Sequence, residues 1–181
     1  MICLLALPGA RHFLETSMTR HMLVQFPLVL LSGGYLAGSL PRPWRAAIDR
    51  WNRHGISGLF ATALVLTILM IPRLLDLALI DSRVELLKWV ALLGCGAAAR
   101  LSWQPAGRVI QGFFLGNVLP MMAVVGNLFA SSPVRVCNAY LLDDQKGLGQ
   151  MLVWIAAIIG LVWLAGIVRK LIREEIKASQ D

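Results

Sequence analysis

Five long apolar runs, each followed by a charged segment, limit what this chain can fold into. An α-helix needs about 20 predominantly apolar residues to cross the hydrocarbon core of a bilayer. Runs of this kind lie at 17–40, 56–72, 86–103, 109–130 and 148–168. They take up most of the 181 residues and leave no room for a separate soluble domain. We therefore expect an all-α integral membrane bundle of five transmembrane helices.

The segments outside these runs divide the chain into three parts. Residues 1–16 include a short apolar run without a basic leader, which indicates an ordered or interfacial N-terminal arm. A truncated extra helix is the alternative for this arm. Residues 17–168 form the transmembrane domain, in which 73–80 continues the second run as an amphipathic extension. Residues 169–181 form a charged cytoplasmic tail.

The distribution of Lys and Arg predicts the orientation. Segment 41–55 carries four arginines, two tryptophans and one aspartate, which is typical of a membrane interface. Placing it in the cytoplasm puts ten of the seventeen Lys and Arg residues inside with four acids, against seven outside with six acids. The N-terminus is then outside and the C-terminus is cytoplasmic, in a multi-pass protein of a bacterial inner membrane. The net charge of +7 indicates contact with membrane lipid and not with nucleic acid.

Small residues spaced four apart predict close helix packing. Gly34 and Gly38 form a GxxxG pattern in the first run, and Gly112 and Gly116 form another in the fourth. Small residues allow the backbones of two helices to approach closely in lipid. The interpretation we favour is packing within this chain, and a dimer or partner-subunit face is the alternative.

Four potential soft-metal ligands lie at the predicted outer surface. They are His12, Met18, His21 and Met70. Imidazole and thioether groups suit copper, and thioethers favour Cu(I), so these residues form a candidate copper site. The alternative interpretation is that they pack, because His12 and His21 are nine residues apart and do not adjoin on one helix. We expect no haem, because no two spans carry histidines at haem-ligating depth.

Three short motifs occur in the order in which one known family has them. They are SMTRHML with Met18 and His21, LMIP with Met70 and Pro72, and DDQKGLGQMLVW with Asp144, Gln145, Gly149 and Trp154. Over residues 17–168 the chain thereby resembles the CtaG-like multi-span membrane family associated with cytochrome c oxidase assembly. That family usually has about seven spans and more histidines. Here Ser17 and Met70 stand at two of the family's histidine positions.

The resemblance implies a protein that serves a respiratory oxidase in assembly or in copper supply, with subunits of that complex as partners. The substituted histidines favour an alternative, a non-catalytic accessory subunit of a respiratory or other membrane-bound metalloenzyme complex. In either case we expect no enzymatic activity of its own. Asp144 and Gln145 are predicted to cap the start of the fifth helix, since a carboxylate there satisfies free backbone N–H groups.

Overall fold

The computed structural model describes residues 8–178, and every regular element within that range is helical. Residues 1–7 of the predicted arm and 179–181 of the predicted tail lie outside the described residues. The first four helices are α1 (Pro8–Glu15), α2 (Met18–Gly38), α3 (Arg42–Trp51) and α4 (Ile56–Leu69). The other four are α5 (Pro72–Ile80), α6 (Ser82–Trp103), α7 (Gly107–Ser131) and α8 (Leu142–Ala178).

Three helices in the described range are long and apolar enough to cross a membrane. They are α2, α7 and the Leu142–Arg173 part of α8. Helices α4 and α5 qualify as a fourth span if they are taken together, although they meet at an angle of 76°. The chain therefore has the helices of a membrane protein, with three or four candidate spans in place of the five that the sequence predicts.

The bend between α4 and α5 has a local cause. The residue before a proline is driven towards extended backbone, and Ile71 has φ −71° and ψ 119° ahead of Pro72. Residues 73–80, predicted as an extension of the second run, accordingly belong to a separate helix. Helix α8, by contrast, continues unbroken through Arg169 to Ala178, so the described part of the predicted tail is helical.

Helix α6 lies at the centre of the bundle and packs against α2, α4 and α5. It runs in the same direction as α2, because His21 lies beside Lys88 and Gly34 lies beside Gly96. Helices α7 and α8 form an antiparallel pair, in which α7 contacts α4 and α8 contacts the start of α2. We call the end that carries His21 the histidine end and the end that carries α3 the arginine end.

The closest approach of α2 and α6 occurs at glycines outside the predicted GxxxG pairs. A Cβ on Gly33 would overlap the Leu93 carbonyl group, and a Cβ on Gly96 would overlap the Leu30 carbonyl group. Gly34 lies at ordinary contact distance from α6, whereas Gly38 has open space around it. The predicted Gly34 therefore lies on the face that packs against α6, whereas the predicted Gly38 does not.

The two glycines of the second predicted pair, Gly112 and Gly116, also have different surroundings. Gly112 accommodates the ring of Trp163 from α8, whose nearest carbon would lie 2.8 Å from a Cβ on the glycine. Gly116 has open space around it. The tight backbone contact between α7 and α8 is instead made by Gly126 and Gly149. Gly149 therefore has a packing role at the histidine end.

Candidate functional site

A buried group of ionisable side chains joins four segments at the histidine end. Its members, which we call the histidine cluster, are Arg11, Glu15, His21, Glu85, Lys88 and Tyr140. They come from α1, α2, α6 and the loop between α7 and α8. Apolar side chains surround them, including Met18, Phe26 and Leu92. The cluster therefore fixes the position of segments that are far apart in sequence.

The cluster contains two cations and two anions. Arg11 forms ion pairs with Glu85 at 2.6 Å and with Glu15 at 3.1 Å. The Lys88 Nζ atom lies 3.8 Å from a carboxylate oxygen of Glu15, and only 4% of the Lys88 side chain is exposed. Burying a charge is very costly unless opposite charge and hydrogen bonds accompany it. The matched charges allow Glu15, Glu85 and Lys88 to be largely buried, while the Arg11 side chain stays 37% exposed at the edge of the cluster.

Both ring nitrogens of His21 are hydrogen-bonded. Lys88 Nζ lies 3.0 Å from Nε2, and the Tyr140 hydroxyl lies 2.6 Å from Nδ1. An ammonium group can only donate, so Nε2 must be the unprotonated nitrogen that accepts from Lys88. Nδ1 then carries the proton and donates to Tyr140. The imidazole is held neutral, in one tautomer, and its single ring lone pair is in use.

His21 also begins a local irregularity in α2. Residues His21–Gln25 form a π-helical turn inside the otherwise α-helical Met18–Gly38. Single π-helical turns of this kind are rare and occur frequently at functional sites. Gln25 ends the turn and is buried, with 1% of its surface exposed. Neither amide atom of its side chain has a hydrogen-bond partner in the described part of the chain.

Asp144 connects the last helix to the first span. Its carboxylate accepts hydrogen bonds from the Met18 backbone N–H and from the Ser17 and Thr19 hydroxyls, both at 3.0 Å. The predicted cap on its own helix is thus wrong, since the carboxylate caps the start of α2 instead. A carboxylate at a helix N-terminus satisfies free N–H groups and interacts favourably with the helix dipole.

Gln145 binds the loop that precedes its own helix. Its side-chain oxygen accepts from the Val136 backbone N–H at 2.7 Å, and its amide donates to the Phe129 carbonyl oxygen at 3.2 Å. The prediction that Gln145 caps α8 is wrong for the same reason as for Asp144: its side chain is directed to a neighbouring segment. Trp154, five residues further along α8 than Gly149, is largely exposed.

The same loop is also bound to α5. Asp76 accepts hydrogen bonds from the backbone N–H groups of Asn138 and Ala139, and the Cys137 thiol lies 3.6 Å from the Pro72 carbonyl oxygen. Burial, with a further contribution from Asp76, raises the pKa of the Cys137 thiol to about 12. Burial likewise raises the pKa of Tyr140 above its ordinary value. Both groups are therefore neutral at physiological pH.

The four predicted copper ligands do not share one surface. His12 is exposed on α1, whereas Met18 and His21 are fully buried. Met70 packs against the apolar core that contains Met18 and Met22. No group of three or more His, Cys, Asp or Glu residues suited to a metal ion occurs within residues 8–178.

Sequence reasoning did not identify Arg11, Lys88 or Tyr140 as members of a site. A usable signal was present, because Glu85 and Lys88 are one helical turn apart and Lys88 falls inside an apolar run, where a charge needs a partner. The identity of that partner depends on how α2 and α6 are aligned, which the sequence alone does not specify.

No family model, curated protein or solved structure matches this chain.

Proposed function

We propose that this chain is a bacterial inner-membrane protein of the CtaG-like kind, acting as a non-catalytic assembly or accessory subunit of a respiratory oxidase. One observation carries the proposal: the three motifs on which the resemblance depends meet at the histidine end. Met18 bonds to Asp144, Pro72 contacts the loop through Cys137, and Gln145 holds the same loop. Because the residues of these motifs are far apart in sequence but meet at one end of the bundle, we infer that they hold this end together.

The number of spans and their orientation in the membrane are part of this proposal. We take α6 as a full span, which gives five spans with the N-terminus outside and the C-terminus in the cytoplasm. The central position of α6 supports this assignment, because it packs alongside α2 over much of its length. Its Lys88 and Arg100 reduce its hydropathy, but Lys88 is buried among partners and Arg100 can extend towards the interface.

The contacts of His21 favour a scaffolding role over copper delivery. A copper ion on Nε2 would compete with the Lys88 ammonium for the same lone pair. It would also enter a region in which a cation already lies 3.0 Å from the ring. Loading His21 with metal therefore requires Lys88 to move away. If His21 only connects helices of its own chain, Lys88 can stay in place.

One observation favours Cu(I) handling as a second candidate. Met18 and Met22 are buried in the apolar core beside His21, and Met70 and Met122 pack against the same core. Thioethers are soft ligands, and several of them gathered near one imidazole match the preference of Cu(I). Under this candidate the methionines would supply most of the ligands.

Two measurements on the full chain, purified in mild detergent, test the two candidates. They are elemental analysis of the chain and mass spectrometry of the proteins that co-purify. The informative variants are His21→Ala and Met18→Leu, and His12→Ala is the control because that side chain is exposed. An accessory subunit should retain oxidase subunits, and the chain freed of those subunits should carry no copper above the buffer background in the wild type or in any of the three variants.

About one copper per chain, lost in His21→Ala and Met18→Leu but kept in His12→Ala, would support the copper candidate and contradict the scaffolding role. Co-purification with proteins unrelated to any oxidase, together with normal oxidase activity in a deletion strain, would contradict both candidates.

A further inference from the structure

Helix α3 lies at the arginine end and is attached to the bundle at its two ends. At its start, Arg45 Nη2 donates to the carbonyl oxygens of Gly38 at 2.5 Å and Ala37 at 3.2 Å, which caps the end of α2. After its last turn, Asn52 donates to the Ser102 hydroxyl at 2.7 Å and accepts from the Gly58 backbone N–H. No residue of α3 itself is buried.

The apolar side of α3 faces a groove that the protein does not fill. Trp44, Ala47, Ile48 and Trp51 follow the i, i+3, i+4, i+7 spacing of one helix face and line this groove. Ala98 and Leu101 of α6 form part of the opposite wall, and the volume is about 460 Å³. Trp44 is still 66% exposed and Trp51 89% exposed. An apolar occupant is needed to cover them.

The charge around the groove identifies the class of occupant. Arg42, Arg50 and Arg53 are exposed, against Asp49 as the one acid of the segment, and Arg50 lines the groove. None of these three arginines forms an ion pair with another described residue. Basic residues beside tryptophan at a membrane interface attract anionic headgroups. An occupant with an acyl chain and a negative headgroup satisfies both requirements.

We infer that this groove is a binding site for one anionic phospholipid. An acyl chain lies between the apolar face of α3 and the Ala98–Leu101 turn of α6. The phosphate lies at Arg50 and Arg53, where it supplies the negative charge that these side chains lack among residues 8–178. This inference does not depend on the proposed function, because the groove is formed by residues of this chain alone.

Native mass spectrometry of the full chain in mixed micelles tests the inference, with phosphatidylglycerol and phosphatidylcholine as the lipid probes. The wild-type chain should retain one phosphatidylglycerol in preference to phosphatidylcholine. The charge variant is Arg50→Gln with Arg53→Gln. Its matched control is Arg83→Gln with Arg135→Gln, which removes the same charge from exposed positions at the histidine end. The groove variant is Ala47→Phe, which fills the space from a helix without buried residues.

A basic residue near a membrane surface strengthens the binding of anionic lipid about five-fold. The charge variant should therefore lower the affinity for phosphatidylglycerol by about 25-fold, and the control should leave it within two-fold. Ala47→Phe should reduce the retention of both lipids. An equal loss in the control variant would mean general charge attraction and overturn the site. So would unchanged retention in Ala47→Phe, or a protein segment from a partner occupying the groove in place of lipid.

Discussion

Several side chains at the histidine end form their hydrogen bonds with segments other than the one to which they belong. Asp144 and Asp143 are adjacent, yet Asp143 is exposed, whereas Asp144 accepts three hydrogen bonds from residues 17–19. His21 likewise connects α6 to the loop through its two nitrogens. The sequence could supply the residue types and their approximate depth. It could not supply these partners, because each lies between 67 and 127 positions away.

The two neighbouring aspartates provide a matched test of the cap on α2. Asp144→Ala removes the acceptor for one backbone N–H and two hydroxyls, so we expect the free energy of unfolding to fall by about 2 kcal/mol. Asp143→Ala removes the same charge from an exposed position and should change it by less than about 0.5 kcal/mol. Denaturant titration of both variants in mixed micelles, followed by circular dichroism, measures the difference. Equal effects of the two substitutions would contradict the cap.

At the scale of the helix, long apolar runs locate the elements but not their contacts. The runs predicted at 17–40 and 109–130 correspond closely to α2 and α7, because apolar length is itself the signal for a span. The break before Pro72 and the pairing of Gly33 with Leu93 were missed. Both depend on local backbone geometry and on which helix faces meet, and neither leaves a distinct pattern in composition.

Gly94 and Gly96 provide a second matched pair, on one helix and two residues apart. A Cβ on Gly96 would overlap the Leu30 carbonyl oxygen, so Gly96→Ala must force α2 and α6 apart. We expect a loss of about 1–3 kcal/mol, as for other overpacked contacts. Gly94 has no atom within 4 Å of its Cβ position, so Gly94→Ala should leave stability unchanged or raise it by up to about 1 kcal/mol.

Thermal unfolding and size-exclusion profiles of the two glycine variants distinguish them. A Gly96→Ala protein as stable and as monodisperse as Gly94→Ala would show that α2 and α6 do not approach as closely as described.

At the scale of the whole molecule, the two ends of the bundle present different kinds of side chains and interactions. The histidine end is closed by buried ion pairs and by a loop with many hydrogen bonds, whereas the arginine end presents exposed cations and tryptophans. The sequence predicted an asymmetry of charge between the ends, since the count of Lys and Arg is a property of the loops themselves. The buried cluster was not predicted, because it forms only when α1, α2 and α6 pack together.

The number of crossings can be tested by labelling from the two sides of the membrane. Positions 49 and 143 are exposed and are separated by three proposed crossings, which places them on opposite sides. In a chain with Cys3 replaced, we expect a membrane-impermeant maleimide to label Asp143→Cys in spheroplasts and Asp49→Cys only in inverted vesicles. Labelling of both positions from the same side would mean that α6, or the bent pair α4 and α5, does not cross.

The hydrogen bonds of Asp144 also impose an order on biosynthesis. A ribosome releases the first span long before it synthesises residue 144, so the start of α2 enters the membrane without its carboxylate cap. Lys88 similarly emerges well after His21, and the loop that brings Tyr140 comes later still. The histidine end is therefore the last part of the protein to mature. Until the final helix is inserted, the free N–H groups at the start of α2 and the His21 ring N–H depend on water for their hydrogen bonds.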